Sequence, residues 1–79
     1  MSSPTEQLET VKQLKSRAES LLALCHEPEE KNELGSVLEE LRISENKFKA
    51  LFPAFKLKQE DMDELRARIE AVEARKASL

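Results

Sequence analysis

The feature that most constrains this chain is a seven-residue repeat running through its second half. Positions seven apart read Leu34, Leu41, Phe48, Phe55, Met62, Ile69 and Lys76. A companion set, three residues later each time, reads Val37, Ser44, Leu51, Lys58, Leu65, Val72 and Leu79. Only Ser44, Lys58 and Lys76 interrupt the apolar pattern. Apolar residues alternating at spacings of three and four form one stripe on an α-helix, so this frame dictates helices packing along a seam. Leu38 and Phe52 flank the stripe and make it too wide for a two-stranded coil. The face suits contact with two or more helices.

The first helix announces itself by its cap. Ser3-Pro4-Thr5-Glu6 supplies a serine N-cap, a proline whose missing N–H costs nothing there, and a glutamate three residues on. Val11, Leu14, Ala18, Leu21 and Cys25 then form a separate seam, broadened by Leu8 and Leu22. Pro28 ends that helix and suits the first turn of another, with Glu29 and Glu30 at the positive end of its dipole. The expected architecture is all-α, a single domain over 1–79. It takes the form of an elongated helical hairpin or a three-helix, coiled-coil-like bundle. The helices are predicted over about residues 4–26, 28–52 and 57–79.

Two positions interrupt the second half. Gly35 costs about 1 kcal/mol in a helix interior. The capping pattern Ser36-Val37-Leu38-Glu39 offers a later start for the second helix. Pro53 costs about 3 kcal/mol inside a helix and pushes Phe52 out of helical conformation. The chain either kinks at Pro53 or breaks into two helices near residues 53–60, and because the heptad frame continues across Pro53 the sequence favours a kink or a short interruption over a loop of arbitrary length. Residues 28–79 as one rod would span about 78 Å, against about 34 Å for the first helix. The uncovered seam would then need another chain. Leu34, Val37, Leu38, Leu41, Phe48, Leu51, Phe52, Phe55, Met62, Leu65, Ile69 and Val72 are accordingly expected to pack against partner helices. On that reading Leu51→Asp abolishes assembly by burying an unpaired charge.

Composition excludes other classes. Thirteen Lys and Arg against 16 Asp and Glu leave no basic surplus for nucleic acid. No apolar run reaches the roughly 20 residues of a membrane span, and the start MSSPTEQLE lacks a signal-peptide core, so an intracellular location is expected. One Cys and one His, adjacent at Cys25-His26, do not make a zinc site or a nucleophile–base set. They read as a buried seam thiol and a histidine near a helix C-terminus. The carboxylates read as solvated helix faces, with Glu45–Lys49 and Glu64–Arg68 spaced for weak ion pairs. No enzyme activity, cofactor, metal or small-molecule substrate is expected. One window departs from this pattern. Residues 47–58, KFKALFPAFKLK, hold four lysines, all three Phe and no acid. Lys47, Lys49, Lys56 and Lys58 are candidate contacts for an acidic partner, with lysines merely staying in water beside a Phe seam as the plainer reading.

The stretch from Val37 to Lys56 carries a resemblance. Val37-Leu38, Glu40-Leu41, Lys47-Phe48, Leu51-Phe52 and Phe55-Lys56, with Arg68-Ile69 reached without a gap, resemble the second, small helical subunit of the spindle and kinetochore-associated (Ska) complex. The resemblance covers about 33 residues. It implies a non-catalytic subunit that bundles with partner helices at the outer kinetochore, on spindle microtubules, and supports chromosome segregation in mitosis. Microtubule association would be indirect. It carries over Leu38, Leu41, Phe48, Leu51, Phe52 and Phe55 as intersubunit packing positions. The alternative from the residues is an autonomous three-helix domain that binds a partner helix in a groove, similar in kind to the amino-terminal domains of SNARE proteins or to trafficking adaptors. A true chain reversal at 53–60, bringing Met62 and Leu65 against the second helix, separates the two.

Overall fold

A computed structural model describes residues 3–77. They form three helices, α1 (Pro4–Leu24), α2 (Pro28–Leu51) and α3 (Gln59–Ala77). α1 begins as the cap dictates: Ser3 Oγ accepts from the Glu6 N–H at 3.1 Å, and the Ser3 carbonyl accepts from the Gln7 N–H at 3.0 Å. It ends at Leu24, where Cys25 turns to extended backbone. α2 runs unbroken through Gly35 from Pro28, so the later start at Ser36 is not used. Packing of Leu34, Val37 and Leu38 holds the glycine's neighbours in helical geometry. The predicted end of α3 at Leu79 lies outside the described residues.

The chain does not continue as a kinked rod. It reverses between Leu51 and Gln59, and the molecule measures 41 × 21 × 16 Å. The Phe52–Pro53 peptide is cis. The Leu51 carbonyl accepts from Ala54 N–H at 2.7 Å and Phe55 N–H at 3.3 Å, closing the turn. Gln7 fastens it to α1 from 50 residues away. Its side-chain amide donates to the Leu57 carbonyl at 3.1 Å, and its carbonyl accepts from the Leu57 N–H at 3.2 Å. Both backbone groups of Leu57 thereby gain partners they would otherwise lack in a non-helical segment. Phe55 stands edge-on to Phe48, ring centroids 4.7 Å apart, plugging this end of the bundle.

The reversal explains why the heptad frame survives Pro53. The segment from Phe52 to Lys58 is seven residues long, one full heptad, so the count resumes in phase although the helix has ended. Met62, Leu65, Ile69 and Val72 thus return into a core shared with Val11, Leu14, Ala18 and Leu21 of α1 and Leu34, Val37, Leu38, Leu41 and Phe48 of α2. The expectation that this seam requires another chain is corrected on geometric grounds. α1 and α2 cover it, and Leu34, Val37, Leu41, Phe48, Ile69 and Val72 are fully buried within the one chain.

Ion pairs tie each pair of helices at the rim of this core. Lys15 of α1 reaches Glu45 of α2 at 2.9 Å, and Arg17 of α1 pairs with Glu73 of α3. Arg68 of α3 holds both Glu33 at 2.8 Å and Glu40 at 3.3 Å, two turns apart on α2. Glu30 near the start of α2 accepts from Lys76 near the end of α3 at 3.0 Å. These contacts are consistent with helices running up, down, up.

Candidate functional site

Most residues expected to pack against partner helices pack against one another. Leu51 and Phe52 do not. They are 55 % and 50 % exposed, because the turn carries them past the end of the core. Leu51→Asp therefore places its charge in water, and the chain's own fold has no reason to reject it. Phe55 is half-buried against Phe48, so only part of its ring is open.

The four lysines of the 47–58 window are all exposed at this end of the molecule, but two are already engaged. Lys49 Nζ lies 3.3 Å from Glu45, and Lys47 Nζ stands 6.0 Å from the Phe55 ring centroid. The ammonium groups of Lys56 and Lys58 make no hydrogen bond or ion pair among the described residues. The turn thus forms a basic pole with an apolar tip at Leu51 and Phe52.

Beside it lies a feature that neither heptad set marks. A groove of about 310 Å³ opens between α2 and the start of α3, lined by Glu40, Ile43, Ser44, Leu57, Asp61, Glu64 and Leu65. Its position follows from the turn: Gln7 draws Leu57 toward α1, and α3 enters with its first turns flanking Glu40–Ser44. Ile43 is 45 % exposed and belongs to neither heptad set. That off-frame isoleucine was the only sequence signal for the groove. The carboxylates around it looked like any solvated face.

The electrostatics of the rim are asymmetric. Glu33 is held below the usual carboxylate range by the Arg68 guanidinium, against the opposite pull of desolvation. Arg68 is raised in turn, chiefly by its hydrogen bond to Glu33. Glu45 is lowered by its hydrogen bond to Lys15 first, with Lys49 adding to it, again against desolvation. The side chains of Asp61 and Glu64, on the groove side of α3, make no hydrogen bond or close ion pair among the described residues, although Glu64 adds to the field that raises Arg68.

Cys25 is 3 % exposed in the core and His26 is exposed beside it. Among the described residues no three His, Cys, Asp or Glu side chains gather in a metal-holding group. No described helix is long and apolar enough to cross a membrane. Comparison with protein-family models, with curated proteins and with solved structures gives no match.

Proposed function

We propose that the chain is a non-catalytic recognition domain, an autonomous three-helix unit that binds a helix of another protein in its α2–α3 groove. The observation that carries this reading is the closure of the core within one chain. Phe48, Leu34, Leu41, Ile69 and Val72 are buried by the chain's own helices, yet Ile43 and the groove beside it are left open. A subunit built to complete its core elsewhere would leave its seam exposed instead. The test is sedimentation equilibrium and circular dichroism on the chain alone. The expected result is a helical 9.0 kDa monomer that melts cooperatively. A weakly helical or ill-defined self-associating chain would refute autonomy.

A second reading is favoured by one specific observation. Leu51 and Phe52, two of the positions that the Ska resemblance carries over as packing sites, are exposed beside four lysines. On this reading the folded chain is a structural subunit of a spindle- and kinetochore-located complex and joins it through the apolar tip. Co-expression with the other Ska subunits tests this reading. Loss of co-purification on Leu51→Asp supports it, and absence of any complex with the unaltered chain refutes it.

A further inference from the structure

We infer that the groove between α2 and α3 receives a basic amphipathic helix about three turns long. The inference rests on the recognition-domain reading and names the chemistry of the partner. The shape is helical on both walls. Glu40 and Ile43 of α2 are three apart, and Asp61 and Glu64 of α3 are three apart, with Leu65 next to the latter. Each wall is therefore a lengthwise stripe of one helix, and the space between two such stripes accepts the ridge of another helix. Ile43, Leu57 and Leu65 supply the apolar floor. Leu51, eight residues past Ile43 on α2, lengthens the apolar strip by about 12 Å toward the turn.

Charge selects the occupant. Three carboxylates rim this floor, those of Glu40, Asp61 and Glu64. Arg68 is shared among Glu33, Glu40 and, at longer range, Glu64, while the Asp61 side chain has no ion pair among the described residues. An acidic or phosphorylated helix would meet three carboxylates served by one shared guanidinium, and a helix bearing Lys or Arg beside its apolar stripe would pair with them. The opposite end of the strip carries Lys47 and Lys58. The basic residues of the occupant therefore lie toward Glu40 and Glu64, away from the turn. Exposed pairs of this kind discriminate among partners and speed encounter, while the apolar contact supplies most of the affinity.

The test is an NMR titration of the isotopically labelled full chain with three synthetic peptides. The first is a Leu/Lys peptide of three to four turns with an amphipathic repeat. The second has the same composition scrambled, and the third carries Glu in place of Lys. The expected result is binding of the first alone, with shifts confined to residues 40–51 and 57–65. The double substitution Asp61→Lys with Glu64→Lys should weaken it about tenfold or more while the chain keeps a cooperative helical melt, at a melting temperature lowered by the loss of a first-turn acid. Equal binding of the scrambled or acidic peptide overturns the inference, as do shifts confined to the Leu51–Phe52 tip. Concentration-dependent shifts at the groove without peptide would assign it to a second copy of the chain and equally overturn it. Circular dichroism of the same sample separates these failures from failure of the recognition-domain reading, which would appear as loss of cooperative helical melting.

Discussion

Gly35 lies in the interior of α2, and a Cβ built there meets nothing within 4 Å. The glycine thus carries the entropic cost of ordering without the compensation of a close approach. Gly35→Ala is expected to stabilise the fold by about 0.5–1 kcal/mol, raising the melting temperature by about 2–8 °C. An unchanged or lower melting temperature would contradict the open space found beside Gly35. Glu33 and Glu45 act at the same scale through protonation. Both have carboxyl pKa values below the ordinary 4.5 in the fold, Glu33 through Arg68 and Glu45 through Lys15. A depressed carboxylate stabilises above its unfolded pKa and loses that contribution as pH falls through its folded value. The melting temperature should therefore hold from neutrality to about pH 4.5 and fall below it. Replacing both glutamates by Gln should flatten that acid limb.

At the scale of elements, the turn from Phe52 to Lys58 decides the architecture, and Gln7 decides the turn. Gln7→Ala removes two hydrogen bonds and strands the Leu57 backbone. A loss of about 1–3 kcal/mol is expected, with faster hydrogen exchange at Leu57 than at residues in mid-α2. This contact also marks where the sequence stops being legible. The start of α1 could be read directly because a cap is a local device: Ser3, Pro4 and Glu6 sit within four residues. The seams could be read because periodicity needs no knowledge of the partner. Neither signal reports a chain direction. A seven-residue period is blind to an interruption of seven residues, so a kinked rod and a reversal produce the same pattern. The clamp between residues 7 and 57 has no sequence signature at all. For the same reason the groove was hidden, since Glu40 and Asp61 become neighbours only once α3 has turned back.

For the whole molecule, burial separates two apolar positions that the sequence treats alike. Phe48 is fully buried and Leu51 is half-exposed. Phe48→Ala should cost about 3–5 kcal/mol, as much as a single core of this size supplies, and leave the chain largely unfolded by circular dichroism. Leu51→Asp should shift stability by no more than about 0.5 kcal/mol. Similar melting curves for the two would contradict the core assignment. The heptad length of the turn has a further consequence, for oligomerisation. Since the seam stays in phase whether the chain bends or runs straight, an α3 swung away from its own bundle remains register-matched to the bundle of another molecule. Hinge segments of this kind permit domain exchange, in which identical helices trade places between two copies. Two residues stand against it: Pro53, which costs about 3 kcal/mol inside a continuous helix, and Gln7, which holds Leu57 down. Replacing both by Ala should yield a dimer that forms slowly at high concentration, keeps the helicity of the monomer, and presents two copies of every surface in place of one.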